Sequence, residues 1–291
     1  LIIIGDSDQL PSVGAGNILR DIIAGGRFAT IKLNEIFRQA SESLIVTNAH
    51  AINKGDMPDL TVKNKDFFFL PRKSNVDIAN TVADLCKNRL PRAYGVKATA
   101  NIQVISPSRK GEAGTENLNV LLQKMLNPEQ FGKKEYKYRQ VVFRQGDRVM
   151  QIKNNYDISW EKDDGTQGTG IFNGDIGFIY DIDHQNQSME IVFDDRSVQY
   201  DFLYLEELEH AYAITVHKSQ GSEYPIVIIP AYRAPEMLLT RNMLYTAVTR
   251  AQNMVIIVGD DNIIKTMVEN DKQSLRYTGL ARLFGDENES K

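Results

Sequence analysis

The sequence is short of the residues that would tie it to disulfide, metal or membrane chemistry. Its 291 residues include a single cysteine, Cys86, so an internal disulfide is excluded and core packing must hold the chain together. Cys86 falls in helical register with Ile78, Val82 and Leu85, which makes it a core position. The four histidines, at 50, 184, 210 and 217, are too scattered for a metal cluster, and no protein-held metal is expected. No apolar run approaches the roughly 20 residues that cross a bilayer. Nor does a basic leader with a small-residue cleavage site open the chain, so a cytoplasmic protein with no membrane attachment is expected. The net charge of −4 excludes a uniformly basic nucleic-acid binder; contacts with phosphate must rest on local groups of Lys and Arg. Internal repeats and low-complexity tracts are absent, and there is no initiating methionine, which reads as a fragment.

What is present is the makeup of an ordinary globular protein, 42% hydrophobic and 25% charged, with enough length for two or more domains. β-Branched runs at 1–4, 102–105, 226–229 and 255–258 read as fully buried strands. Helical patterns occupy 16–24, stopped by Gly25-Gly26, then 43–53, stopped by Gly55, and 76–90, 115–126 and 238–249. Strands alternating with helices predict an α/β domain with a mostly parallel sheet. Between about 141 and 205 the texture changes to short strand-like segments, at 141–143, 148–152, 177–182, 189–193 and 197–204, separated by Gly, Asn and Asp. A small inserted β-barrel is expected there, with the α/β pattern resuming near Leu208. The acidic stretch 286–289 is expected to fray.

Five segments carry chemistry. In Leu-Ile-Ile-Ile-Gly-Asp-Ser-Asp-Gln-Leu-Pro-Ser-Val-Gly, an apolar run ends in Asp6, Asp8 and Gln9, either an acidic turn or polar groups facing a site at a strand's carboxyl end. Arg38, in Leu-Asn-Glu-Ile-Phe-Arg-Gln, is either a solvated charge or a fork of donors for phosphate. The loop after 102–105, Ser-Pro-Ser-Arg-Lys-Gly-Glu-Ala-Gly-Thr, offers Ser108, Arg109 and Lys110 before a helix whose first amides would complete a phosphate site, unless the loop is simply solvated. In Ala-Ile-Thr-Val-His-Lys-Ser-Gln-Gly-Ser-Glu-Tyr, Thr215, His217, Lys218 and Ser219 supply donors suited to a sugar-phosphate backbone, and Gly221 permits close main-chain approach; a structural role for His217 is the alternative. Arg250 ends the helix in Leu-Thr-Arg-Asn-Met-Leu-Tyr-Thr-Ala-Val-Thr-Arg-Ala, where a cation also suits the helix dipole.

Taken in order over residues 1 to about 260, these segments resemble motifs III to VI of superfamily 1 DNA helicases of the RecD type. That resemblance implies a RecA-like fold of the P-loop NTPase helicase kind, with a small Src-homology-type β-barrel inserted. It divides the chain into 1–39, the end of a first RecA-like domain; 40–140 and 206–291, the second; and 141–205, the barrel. It assigns γ-phosphate sensing to Gln9 and an arginine finger to Arg250, with Arg38 also reaching phosphate, and it places Asp6, Gln220, Gly221 and Glu223 on the nucleotide side. Ser108, Arg109, Thr215, His217, Lys218 and Ser219 fall on the DNA side. ATP with Mg²⁺ is the implied cofactor, and the partners are single-stranded DNA and a duplex junction, with either a RecB-like subunit or a stand-alone monomer. Movement would be 5′-to-3′, in DNA repair or recombination. The chain contains no Gly-x-x-x-x-Gly-Lys-Ser/Thr loop and no nuclease motif. The phosphate loop and magnesium carboxylate are therefore expected in an amino-terminal half, and this chain alone is expected to be inactive. A non-catalytic DNA-binding module, or a translocase that displaces proteins without separating strands, are the competing readings.

Overall fold

A parallel strand buried on both faces needs apolar side chains at nearly every position, and the segments 226–229 and 255–258 meet that demand throughout, 102–105 with one buried polar residue, Gln103. The computed structural model describes residues 1–11, 14, 16–32, 42–62, 66–95, 98–272 and 279–280. Helices α1 (Ile18–Gly25) and α2 (Leu44–Lys54) come first, then strand β1 (Phe67–Pro71), helices α3 (Asn75–Asp84), α4 (Leu90–Tyr94) and α5 (Ala98–Asn101), and strand β2 (Ile102–Ser106). Helix α6 (Thr115–Leu126) leads into strands β3 (Glu135–Tyr138), β4 (Val141–Arg144), β5 (Arg148–Gln151), β6 (Asn155–Glu161), β7 (Gln167–Ile171), β8 (Ile176–Asp183), β9 (Ser188–Phe193), β10 (Arg196–Asp201) and β11 (Leu208–His210). The chain then continues through β12 (Ala213–Thr215), β13 (Tyr224–Ala231), α7 (Arg241–Val248), β14 (Ala251–Gly259) and α8 (Asp261–Glu269).

Five strands form one parallel sheet in the order β1-β14-β13-β2-β12. Successive side chains of a strand face opposite ways, and the two cores follow that alternation. Ile105, Val227, Ile229, Val255 and Ile257 pack with Ile45, Ala49 and Ile52 of α2, Met243 and Leu244 of α7 and Ile264 of α8. Their neighbours Val104, Ile226, Ile228, Ile256 and Val258 pack on the other face with Ile78 and Val82 of α3 and Leu118 and Leu122 of α6. This is the RecA-like arrangement expected, helices covering both faces of a parallel sheet.

The second unit is antiparallel throughout, a seven-stranded sheet in the order β11-β5-β8-β9-β10-β6-β7, beside a β3–β4 hairpin. Its core is separate, built on Ile158, Ile171, Ile179, Met189, Ile191, Phe193, Val198 and Tyr200. Strand β11 joins this sheet, so its hydrogen bonding runs past residue 205. Within the stretch 197–204, the strand ends at Asp201 and a short 3₁₀ turn, Phe202–Glu207, follows.

Two other expectations change. Residues 1–4 are exposed and form no strand, Leu1 and Ile4 at 115% and 92%. Apolar composition makes a strand only where partner strands offer hydrogen bonds, and no described strand lies beside this run. The helix expected over 76–90 is broken by a π-helical turn, Leu85–Arg89, in which the Leu90 N–H reaches back to the Leu85 carbonyl immediately before Pro91, which has no N–H to give. By contrast α2 keeps its predicted limits: the Ser43 hydroxyl caps the Val46 N–H and Gly55 ends the helix at φ +87°. Among the described residues no helix is long and apolar enough to cross a membrane.

The two units meet at Asp147, whose exposure is 0%. Its Oδ1 accepts from Asn127 Nδ2 at 2.7 Å and Tyr212 Oη at 2.9 Å; its Oδ2 takes Gln123 Nε2 at 2.6 Å and the Arg144 N–H at 2.7 Å, and lies 3.0 Å from His210 Nε2. Burial alone would raise the Asp147 pKa, but the bond and charge of His210, with the bonds from Asn127 and Arg144, hold it below the usual carboxylate range. A lowered folded-state pKa stabilises the fold above the ordinary value of about 3.9 and loses that contribution as pH falls through the folded value. Asp147→Ala in the complete protein should therefore cost about 3–5 kcal/mol at neutral pH, seen as a lower denaturation midpoint, because five donors lose their acceptor. In Asp147→Asn the acid sensitivity that sets in as pH falls below about 3.9 should shrink. An unchanged midpoint in both variants would remove Asp147 from the seam.

Candidate functional site

Because β2 and β12 are parallel, with Thr215 paired to Ser106, the loops that follow them leave the sheet side by side. The first wraps back on itself. The Ser108 carbonyl accepts the Thr115 N–H at 3.1 Å and the Arg109 carbonyl the Glu116 N–H at 3.0 Å. Gly114 is required there, since a Cβ would lie 2.4 Å from the Lys110 carbonyl oxygen. These two helix-start amides are thus already occupied, which corrects the expectation that they would complete a phosphate site. Ser108 is 6% exposed and its hydroxyl bonds within the loop, to the Lys110 carbonyl and N–H. What the loop presents outward is Arg109, Lys110 and Glu112.

The second loop, a 3₁₀ turn over His217–Ser219, exposes His217 and half-buries Thr215 and Lys218. Ser219 is fully buried and donates its hydroxyl to the Val216 carbonyl at 2.8 Å, so it braces the turn and has no surface for phosphate. The Lys218 ammonium contacts Glu209 Oε2 at 2.7 Å, and Arg109 Nη2 contacts the other oxygen, Oε1, at 3.0 Å. Burial works to raise the Glu209 pKa, but its bond and charge contact with Lys218, followed by those of Arg109, lower it.

At the amino ends of β13 and β14 a second set of groups gathers. Residues 6–10 dock on α7: the Leu10 N–H donates to Thr246 Oγ1 at 2.9 Å, Asn242 Nδ2 donates to the Asp8 carbonyl at 2.7 Å, and Tyr245 Oη to Asp6 Oδ2 at 3.1 Å. Gln220 Nε2 donates to the Leu10 carbonyl at 2.6 Å, and Asn53 of α2 to Asp8 Oδ2 at 2.9 Å. Gln9 Nε2 donates to Asp6 Oδ2 at 3.1 Å. Burial, then the Asp6 charge and hydrogen bond, push the Tyr245 phenol above its usual range. Arg250, 7% exposed, follows α7 directly; its guanidinium donates to the Thr246 carbonyl at 3.3 Å, the Ser222 carbonyl at 3.1 Å and Thr249 Oγ1 at 3.4 Å. No carboxylate pairs with it among the described residues. Glu223 is exposed, held by Gln252 Nε2 at 3.2 Å, and Gly221 takes φ +81°.

Three family models match the chain: an ATP-dependent RecD-like DNA helicase SH3 domain over residues 118–193, a UvrD-like helicase C-terminal domain over 210–258, and an AAA domain over 1–68. The ATP-dependent RecD2 DNA helicase of Deinococcus radiodurans is 30% identical over 283 residues, covering 97% of this chain and 36% of that protein. The RecBCD enzyme subunit RecD of Mycolicibacterium smegmatis is 28% identical over 295 residues, 97% of this chain and 49% of that one. This chain corresponds to the C-terminal part of a RecD-type superfamily 1 helicase. It spans about a third to a half of the length of these two relatives, 36% and 49%. Among solved structures, a Pif1 helicase from Bacteroides in complex with ADP-AlF3 and ssDNA gives a looser likeness, TM-score 0.48 at 20% identity over 90% of this chain and 62% of that chain.

The described residues at the amino end thus lie against helix α7, and Gln220 closes the contact. The expected nucleotide-side residues Asp6, Gln9, Gln220 and Arg250 are thereby drawn to one region, with Glu223 and Gly221 at its rim. Arg38 lies outside the described residues. Asn242, Tyr245 and Thr246, which make the docking bonds, were not singled out beforehand, although their i, i+3, i+4 spacing on an otherwise apolar helix is a readable polar stripe. Glu209 and Asp147 carried no sequence signal, because their side-chain partners are 9 to 100 residues away. Thr246→Val, which keeps the shape of a fully buried side chain, removes the acceptor for Leu10. Amide exchange at Leu10 should speed up by roughly 3- to 12-fold, the weight of one ordinary hydrogen bond. Exchange at the wild-type rate would show that the loop does not dock on α7 in solution.

Proposed function

We propose that this chain forms the second motor domain, and one wall of the nucleotide cleft, of an ATP-hydrolysing helicase that moves 5′-to-3′ on single-stranded DNA in the cytoplasm, in repair or recombination. The observation that carries the reading is the buried Arg250 guanidinium, paired among the described residues only with neutral oxygens, at the end of the helix on which residues 6–10 dock. A fixed charge of that kind suits an arginine finger, which acts on the charge that develops as the γ-phosphoryl group transfers. Gln9 would sense that phosphate, Arg38 would reach it from its own segment, and Asp6, Gln220, Gly221 and Glu223 would shape the cleft. The phosphate loop and magnesium carboxylate are assigned outside this chain, and Mg²⁺ held there would supply charge compensation to the phosphates. Arg109, Thr215, His217 and Lys218 would grip the DNA backbone, with Ser108 and Ser219 holding the loops that present them. The insert would face the duplex junction, and the protein would work either alone or beside a RecB-like subunit.

Hydrolysis and strand separation by the complete protein, on duplexes with 5′ or 3′ single-stranded tails, test the reading. DNA-stimulated hydrolysis with unwinding from 5′ tails is expected; hydrolysis that ignores DNA overturns the motor, and unwinding from 3′ tails alone overturns the direction. Arg250→Ala should cut turnover by a factor approaching 10³ while leaving ATP and DNA affinity within a few-fold, and Arg250→Lys should rescue poorly because a point charge lacks the fork. A bracing role alone predicts instead a lower melting temperature with turnover per folded molecule intact.

A further inference from the structure

Glu209 sits mid-strand in β11, the last strand of the insert, next to His210. Strand alternation sends the two side chains to opposite faces. His210 turns to Asp147 in the seam, whereas Glu209 enters the groove lined by Thr115, Asn119 and Thr215, between the loops that follow β2 and β12. There each carboxylate oxygen holds one cation, Oε1 on Arg109 at 3.0 Å and Oε2 on Lys218 at 2.7 Å. One acidic side chain of the insert therefore joins two separate loops of the parallel-sheet unit.

A carboxylate with its two oxygens on two cations offers the same acceptor pattern as the two non-bridging oxygens of a phosphodiester. A phosphate that takes the donors now on Glu209 displaces it, while Arg109 keeps a second acidic contact, 3.5 Å from Nε to Glu116. Displacement is feasible because the contact is open: the side chains of Arg109, Lys218 and Glu209 are 55%, 24% and 34% exposed. Ion pairs this exposed are weak, so a phosphate can compete with the carboxylate for the same donors. A group whose only task was to orient the cations would be expected to resemble Asp147, buried and saturated with donors. We propose that Glu209 is a placeholder for a DNA backbone phosphate, occupying Arg109 and Lys218 between phosphate contacts and taking the cations back as each phosphate leaves. The proposal rests on the DNA-side reading of Arg109 and Lys218. The Asp147 network keeps the insert anchored while the Glu209 contact opens, so phosphate arrival exchanges one contact without freeing the insert.

The test is binding of a fluorescent oligothymidylate to the complete protein across a range of salt, with dissociation followed after an unlabelled chase. Glu209→Gln should bind about fivefold more tightly at low salt, the weight of one exposed ion pair. It should also release DNA more slowly and steepen the salt dependence by up to about 0.7 units. Glu209→Asp should fall back toward wild type, and Glu209→Ala should follow Glu209→Gln. Lys218→Ala should weaken binding and flatten the slope by about 0.7 units. Loss of structure cannot tighten binding, so weaker or unchanged binding by folded Glu209→Gln, with Lys218→Ala behaving as expected, overturns the placeholder. A Lys218→Ala variant with wild-type affinity and slope overturns the DNA-side reading instead.

Discussion

The fold turns on a carboxylate with no exposed surface. Asp147 belongs to the turn between β4 and β5, yet its acceptor sites are filled by Gln123 and Asn127 from α6 and its C-cap, by His210 of β11 and by Tyr212 at the entry to β12. An unpaired buried carboxylate would be prohibitively costly, whereas one with every lone pair filled is stable and directional. The insert and the parallel sheet are consequently locked at one angle, and β12, the sheet's edge strand, is fixed relative to the insert from which it emerges.

From that seam two groups of charged residues diverge. The loops that carry Arg109 and Lys218 leave the carboxyl ends of β2 and β12, while Glu223 and Arg250 stand at the amino ends of β13 and β14. Arg148, at the start of β5, is buried and reaches the Ile102 carbonyl, which ties the insert to the strand between them. A displacement of residues 6–10 against α7 would move Gln220 through its bond to the Leu10 carbonyl. Gln220 follows directly on the turn that carries Lys218, so only Ser219 separates the two along the chain.

Legibility tracked whether a signal was local. Runs such as 226–229 and 255–258 could be read as buried strands because a two-sided parallel strand is apolar at every position. The same composition misled at residues 1–4, where pairing depends on strands that composition cannot supply. Strands β6 and β7 escaped notice because their sequences, NYDISWE and QGTGI, are polar on the outer face, although Asp164-Gly165 between them is a recognised hairpin signal. Ser43 and Gly55 fixed the ends of α2 by cap chemistry alone. Resemblance brought Asp6, Gln9, Gln220 and Arg250 onto one list, but the bonds that gather them come from Asn242, Tyr245 and Thr246 across more than 230 residues of chain. A helical stripe predicts that such a face has a partner, not which segment supplies it.

Arg250 shows how the two kinds of information combine. A guanidinium at a helix end is ordinarily a surface charge, drawn there by the dipole and worth less than about 1 kcal/mol. Here it is withdrawn from water, and its partners are the Thr246 and Ser222 carbonyls and the Thr249 hydroxyl, which share its hydrogen bonds without cancelling its charge. Burial of that kind opposes stability, because carbonyl dipoles replace hydration only in part. The α7 helix absorbs the cost through Met243, Leu244, Ala247 and Val248, all packed against β13, β14 and α2. The same packing fixes Thr246, and Thr246 both receives the Leu10 N–H and supplies a carbonyl to Arg250. A residue that receives the docked loop on its side chain and the arginine on its main-chain carbonyl couples the position of the Arg250 guanidinium to that of residues 6–10.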